Sequence, residues 1–245
     1  MATKLWTLHF MRICLANLLL FISLYLLYPV LPVMMASRLG VPVSQTGVIF
    51  ILFTLAMFFI GPFHAYLVDA YKRKYICMLS FGVMVAATAG YTLVQNATHL
   101  LMLCIVQGLS FGMAATAGIT LAIDITNSTF RSSGNVVFSW AARLGMIIGA
   151  ALGVYLFRTH GFETLLYVAV ALGALGILFV SRVYVPFRAP IGMKVCSMDR
   201  FLLPRGLIPA FNLILIAFIP GLMLPVLTSA PSDVAVGGET VPFFA

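Results

Sequence analysis

Long uninterrupted runs of apolar residues dominate the chain, and charged residues fall almost entirely between them. Seven runs approach or exceed the roughly 20 residues with which an α-helix crosses a bilayer core about 30 Å thick. Allowing a few residues of error at each end, they cover 13–35, 46–68, 75–94, 100–123, 136–157, 164–181 and 206–229. Because backbone polar groups inside lipid must be satisfied within the segment, the runs predict helices rather than barrel strands. The predicted fold class is an all-α, polytopic membrane protein.

Composition and charge agree with this pattern. Hydrophobic residues make up 62% of the 245 residues, compared with roughly 45–50% in ordinary soluble domains. The net charge of +8 lies in short loops between apolar runs, where basic residues set orientation in the lipid bilayer. We therefore expect no nucleic-acid partner. The four cysteines have no metal-ligand spacing, so neither a metal site nor another cofactor is expected.

The positions of the basic residues predict the orientation. With the N-terminus placed in the cytoplasm, all of the 14 Lys and Arg residues except Arg38 and Arg158 fall on or near the cytoplasmic side. The positive-inside bias thus predicts a multi-pass protein of a plasma or inner membrane with a cytoplasmic N-terminus. The first apolar run exceeds the 7–15 residue core of a cleaved signal, so we expect it to be a permanent span.

The chain divides into three predicted parts. Residues 1–181 form a six-helix transmembrane bundle, and residues 182–205 form a cytoplasmic linker loop rich in cations and prolines. Residues 206–245 hold a seventh helix and the start of an incomplete C-terminal bundle, since the final "VPFFA" begins an apolar run and stops. We expect a truncated chain or gene fragment, with a complete seven-helix protein as the alternative.

The loop between the second and third spans concentrates charge in "AYLVDAYKRK", residues 65–74. One interpretation is that its cations only hold the topology. The stretch also resembles the signature loop of the major facilitator superfamily, G-x-L-a-D-r-x-G-R-K. The residues that match are Leu67, Asp69, Arg73 and Lys74. Both glycines of the family pattern and the arginine after the acid are replaced in this chain.

Two further stretches resemble motifs of the same family. In span four, Gln107 and Gly108 fit the pattern R-x-x-q-G, although Cys104 holds the arginine position. Span five contains "GMIIGAALGV", which is similar to G-x-x-x-G-P-x-x-G-G without the proline. It keeps the glycines Gly145, Gly149 and Gly153. A glycine at every fourth position also lets another helix approach closely, so a general packing face is the alternative explanation.

The resemblance implies a secondary-active transporter that moves a small molecule by alternating access between two six-helix bundles, each of 3+3 inverted repeats. This chain would supply the N-terminal bundle and the seventh helix, and its partner would be the missing C-terminal bundle. The resemblance also implies a cytoplasmic gate formed by Asp69, Arg73 and Lys74.

Polar residues within the apolar runs are candidate substrate contacts, because a polar group at membrane depth is costly. They are Asn17, Tyr28 and Gln107, with hydrogen bonding between helices as an equal alternative. Asn17 and Tyr28 share one predicted helix face with Phe21 and Leu24, which gives the first span a part-polar, part-aromatic stripe. Arg143, inside span five, is expected to extend to the cytoplasmic interface. The alternatives are an anion contact in the cavity or a pair with Asp124.

Substrate and energy source are left open by the sequence, although an amphipathic compound such as a drug is favoured. The rival hypotheses are a nonfunctional transporter remnant and an intramembrane enzyme. His64 and Asp69 match the acyltransferase pattern H-x-x-x-x-D, but this spacing turns them about 140° apart on a helix. A general base and its partner must lie within hydrogen-bonding reach, so we expect no enzymatic activity.

Overall fold

The computed structural model describes residues 5–40 and 46–185, together with single positions at 208, 211, 212, 215, 235, 236, 239 and 240. Most of the predicted linker, 182–205, and of the predicted seventh span, 206–229, lies outside these residues. The fold is therefore described for the first six predicted spans.

Helices account for nearly all of the described chain, which confirms the all-α fold class. They are α1 (Leu8–Tyr25), α2 (Leu31–Leu39), α3 (Thr46–Phe59), α4 (Gly61–Ala70), α5 (Arg73–Gly90), α6 (Ala97–Ile125) and α7 (Arg131–Ser181). Single 3₁₀ turns follow α5 and precede α7, and the described β-structure is a two-residue antiparallel ladder, Ala235–Val236 with Glu239–Thr240. Within the described residues, five helical stretches are long and apolar enough to cross a membrane.

Prolines interrupt the first two predicted spans. The first contains a turn at residues 26–30 between α1 and α2, and Pro29 and Pro32 cannot donate the backbone hydrogen bonds of a continuous helix there. The second breaks at Ile60, directly before Gly61 and Pro62, which open α4. Each predicted span is therefore two helical pieces in sequence.

The last of the five stretches, Ser128–Ser181, contains 54 residues. At 1.5 Å per residue it would extend about 80 Å, more than twice the thickness of a bilayer core. The helix is broken at Gly161, which has φ 83° and ψ 177°. Glycine adopts this conformation without the steric penalty that a side chain would bring. Gly161 therefore separates a first arm of α7, residues 131–160, from a second arm, residues 162–181.

Contacts with α1 show that the two arms run in opposite directions. Residue numbers in the first arm increase with the residue numbers of their α1 contacts, so the first arm runs parallel to α1. Residue numbers in the second arm decrease as those of their α1 contacts increase, so the second arm runs antiparallel. The pairs are Gly145 with Leu18, Gly153 with Leu26, Ser23 with Ala169 and Arg12 with Arg182. The chain thus reverses at Gly161 and α7 crosses twice, which gives six crossings in the described part.

The remaining helices complete an alternating bundle. Contacts of Gly108 and Gly112 with Phe53 and Met57 place α6 parallel to α3. The Cys77 thiol donates to the Ala114 carbonyl, and Gln107 bonds to Thr88 and Tyr91, so residue numbers in α6 decrease as those in α5 increase. Helix α6 is therefore antiparallel to α5. The fourth crossing therefore starts at the end opposite to the first, as an inverted pair of three-helix units requires.

The two ends of the bundle differ in charge. At one end, here called the basic end, Arg12 Nη1 donates to the Arg182 carbonyl at 2.9 Å and Lys74 Nζ donates to the Ser181 carbonyl at 2.6 Å. At the other end Arg38 lies 4.0 Å from Glu163. Two buried apolar clusters occupy the space between the ends.

Candidate functional site

Six aromatic side chains from three helices form one group, here called the aromatic cluster. They are Phe21, Tyr25 and Tyr28 on or just after α1, Phe50 and Phe53 on α3, and Phe111 on α6. Ring centroids of neighbouring members lie between 4.7 and 6.2 Å apart. These distances are typical of favourable aromatic pairs. The cluster is thus a continuous aromatic surface assembled from three crossings.

The cluster is only partly covered by the bundle. Phe53 and Phe111 are buried, whereas Phe21, Tyr25, Tyr28 and Phe50 are half-buried. Among the described residues, neither the Tyr25 nor the Tyr28 hydroxyl has a hydrogen-bond partner. Half-buried aromatic rings beside these two hydroxyls are suited to binding a flat, largely apolar molecule that carries a few polar atoms.

Asn17 lies within the bundle rather than on this surface. Its side chain is 5% exposed, and Nδ2 donates to the Phe138 carbonyl at 3.0 Å. The bond joins α1 to the first arm of α7. Of the residues that share its predicted helix face, Phe21 and Tyr28 belong to the aromatic cluster and Leu24 is buried.

Gln107 belongs to a buried hydrogen-bond network between α5 and α6. It is 2% exposed, its Oε1 accepts from the Tyr91 hydroxyl at 2.9 Å, and its Nε2 donates to Thr88 Oγ1 at 3.0 Å. Tyr91 also lies 3.2 Å from the Cys104 sulfur. The amide therefore has partners on both sides, which is the interhelical role that the sequence left open.

The charged loop lies at the basic end, between α4 and α5. Arg73 Nη1 donates to Asp124 Oδ2 at 2.6 Å, and the Asp124 side chain is 3% exposed. The side chain of Asp69 lies outside the described part of the structure. Arg73 and Lys74 thus tie the start of α5 to the C-terminal ends of α6 and α7. The sequence suggested Asp124 only as a partner for Arg143, because the α5–α6 alignment was unknown.

Arg143 is exposed on the first arm of α7. Among the described residues it makes neither a hydrogen bond nor an ion pair. The Asp124 carboxylate, which the sequence offered as an alternative partner, is bonded to Arg73.

The three glycines of the first arm lie directly against the α1 backbone. A Cβ built on Gly145 would lie 2.7 Å from the Leu18 carbonyl oxygen, and one on Gly149 would lie 2.9 Å from that of Ile22. A Cβ on Gly153 would meet Leu26 still more closely. Side chains at these positions would force the two helices apart, so the glycines set their separation.

An apolar bundle that crosses six times in alternating directions, with charge at its ends, is typical of an integral multi-pass membrane protein. A model of the Major Facilitator Superfamily matches residues 13–236. The chain belongs to this superfamily, as its three partial motifs predicted.

Curated relatives are distant and longer. The uncharacterized MFS-type transporter YtbD of Bacillus subtilis strain 168 is 24% identical over 170 residues, which cover 68% of this chain and 42% of the relative. The quinolone resistance protein NorA of Staphylococcus aureus is 26% identical over 138 residues, which cover 56% of this chain and 35% of the relative. The matched region thus spans less than half the length of either relative.

Solved structures share the fold. The human organic anion transporter MFSD10 (TETRAN) matches with a TM-score of 0.67 and 19% identity, over 82% of this chain and 54% of that chain. PepTSo, a transporter of the POT family, matches with a TM-score of 0.66 and 13% identity, over 77% and 40% of the two chains. These likenesses confirm the predicted architecture.

Proposed function

We propose that the chain forms the N-terminal bundle of a secondary-active transporter that carries a small amphipathic molecule by alternating access. The superfamily match over residues 13–236 carries the proposal. The half-covered aromatic cluster supports it, because such a surface can contribute one wall of a binding site between two bundles. The second bundle is the proposed partner, and residues 206–245 are proposed to begin it after a linker at 182–205.

The substrate we propose is a flat, drug-like compound. Stacking against the cluster would bind its apolar rings, and the Tyr25 and Tyr28 hydroxyls would bind its polar atoms. The name of the relative NorA, a quinolone resistance protein, is compatible with this class. Tyr28 is our proposed direct contact. Asn17 and Gln107 would act indirectly, by holding α1 and α6 in place.

We propose that the basic end faces the cytoplasm and that Asp69, Arg73 and Lys74 form a gate there. The contacts of Arg73 with Asp124 and of Lys74 with Ser181 support a rigid base for that gate. The carboxylate of Asp69 would then interact with the second bundle in the outward-facing state and separate from it as the transporter turns inward.

A transport assay tests the proposal. Cells that express this chain joined to the proposed second bundle should accumulate less of a fluorescent quinolone than cells without it, and Tyr28→Ala should abolish the difference. Tyr167→Ala is the matched control, because Tyr167 is 68% exposed and lies on the second arm of α7, away from the cluster. Equal accumulation with and without the folded, membrane-inserted two-bundle protein would refute transport and favour a nonfunctional remnant.

A further inference from the structure

Three cations from three helices meet where the second arm of α7 ends, at the basic end of the bundle. Arg12 of α1 donates to the Arg182 carbonyl at 2.9 Å, and Lys74 of α5 donates to the Ser181 carbonyl at 2.6 Å. Because the two acceptors belong to consecutive residues, the guanidinium of Arg12 and the ammonium of Lys74 lie within about 10 Å of each other. Arg182 adds a third, exposed cation. These three residues are here called the cation cluster.

The described carboxylates do not neutralise this cluster. At the basic end, the Asp124 side chain is 3% exposed and bonded to Arg73, and Glu163 lies at the opposite end beside Arg38. The C-terminal end of α7 supplies only about half a negative charge through its carbonyls. Within the described part of the chain, three cations thus leave an excess of about two and a half positive charges. Their side chains also retain further N–H donors.

An exposed apolar surface adjoins the cluster. Leu178 and Leu175 precede Arg182 by four and seven residues, so all three share one side of the helix. The two leucines are 51% and 41% exposed. Tyr184, which is 71% exposed, is held beside α1 by a hydrogen bond from its backbone N–H to His9 Nδ1 at 3.2 Å. Apolar side chains that end at cations and an exposed tyrosine are typical of the membrane surface, where lipid headgroups meet acyl chains.

We infer that the cation cluster is a binding site for the phosphate headgroup of an anionic phospholipid. The phosphate oxygens would accept charge-assisted hydrogen bonds from the guanidinium and ammonium groups, and an acyl chain would lie along Leu178 and Leu175. These leucines favour a lipid over a soluble phosphate, which has no apolar part to cover them. The inference goes beyond the proposed transport, because the site lies at the basic end and not at the aromatic cluster.

The competing explanation is that these cations only orient the chain in the bilayer. In that case any cation at the basic end would be equivalent to any other. A specific site instead predicts that Arg131 does not contribute, although it is also exposed and begins α7 at the same end. Arg131→Gln is therefore the matched control for Arg182→Gln. The described hydrogen bonds of Arg182 are made by its backbone, so replacing its side chain leaves the helix contacts in place.

Native mass spectrometry of the full chain, released from detergent micelles, measures the inference. The micelles contain equal amounts of phosphatidylglycerol and phosphatidylcholine with the same acyl chains. We expect at least tenfold more phosphatidylglycerol than phosphatidylcholine to remain bound to the wild-type chain. Arg182→Gln should lower this preference about fivefold, since it removes one cation at the membrane surface. Arg182→Lys should retain most of the preference, and Arg131→Gln should leave it unchanged.

A soluble competitor separates a lipid site from a phosphate site. Glycerophosphoglycerol, the headgroup without acyl chains, should not displace the bound phosphatidylglycerol even in large excess. Displacement would show that the cluster binds a soluble phosphate, and the lipid assignment would be wrong. The inference is also wrong if the wild-type chain does not prefer phosphatidylglycerol, or if Arg131→Gln reduces the preference as much as Arg182→Gln does. Circular dichroism establishes that each variant is folded.

Discussion

Replacing glycine by alanine should have opposite effects on stability at two positions. Gly149 lies in the contact between α1 and the first arm of α7, whereas Gly82 lies in an open part of α5. In Gly149→Ala the new Cβ would lie 2.9 Å from the Ile22 carbonyl oxygen and 3.0 Å from both Ile22 Cα and Tyr25 Cβ. Two of these are backbone atoms, so relief requires the helices to separate by about half an ångström. In Gly82→Ala, within α5, the new Cβ would have no atom within 4 Å.

The magnitude follows from the contacts that such a separation weakens. A gap of about 0.5 Å forfeits roughly a quarter of each dispersion contact of 0.1–0.2 kcal/mol. Over about 40 atom pairs along the helix contact, the loss is about 1.5 kcal/mol, within the usual range for overpacking. The helix-propensity gain of alanine over glycine applies at both sites, so it cancels when the two variants are compared.

Thermal unfolding of the purified chain in one detergent, followed by circular dichroism, measures the comparison. We expect Gly82→Ala to be at least as stable as the wild type and Gly149→Ala to be less stable than Gly82→Ala by about 1.5 kcal/mol. Equal stabilities for the two variants would refute the proposed role of the glycine line in setting the separation of α1 and α7.

Three other substitutions have defined outcomes in the same unfolding assay. Arg73→Ala should destabilise the chain by about 3 kcal/mol, because it leaves the Asp124 carboxylate buried without this cation; adding Asp124→Asn should recover part of the loss, and strict additivity would contradict the pairing. Gln107→Leu should lower the free energy of unfolding by about 1 kcal/mol, because it removes the oxygen acceptor of the Tyr91 hydroxyl. An unchanged midpoint of unfolding would exclude that bond. Gly161→Ala should lower the free energy of unfolding by about 1–3 kcal/mol, because a residue with a side chain is strained at the φ of 83° that Gly161 adopts. An unchanged free energy of unfolding would argue against the chain reversal at Gly161.

The sequence was sufficient to predict the spans because lipid imposes a simple rule. Uncharged runs of suitable length predicted helices, and all six described crossings occur where those runs lie. The interruptions at Pro29 and Gly61 did not show as gaps in hydrophobicity, since the residues around them are apolar as well. Local backbone chemistry, and not the apolar pattern, determines these breaks.

Side-chain partners were harder to predict, because they depend on how helices rotate and align against one another. Gln107 was recognised as unusual, but its bonds to Tyr91 and Thr88 require the antiparallel alignment of α5 and α6. The Arg73–Asp124 pair joins residues 51 positions apart for the same reason. The sequence predicts only the part of the aromatic cluster on α1, the stripe that contains Phe21 and Tyr28. It does not predict the rings of Phe50, Phe53 and Phe111, because these come from α3 and α6.

The reversal of the chain at Gly161 is the central claim, since it makes α7 two crossings and the bundle six. Single cysteines at Ser128, Thr159 and Tyr184, placed in a chain whose native cysteines are replaced, can be labelled with a membrane-impermeant maleimide in sealed vesicles. We predict that positions 128 and 184 are labelled from one side and position 159 from the other. Labelling of 128 and 184 from opposite sides would contradict the fold and the transport proposal that is built on it.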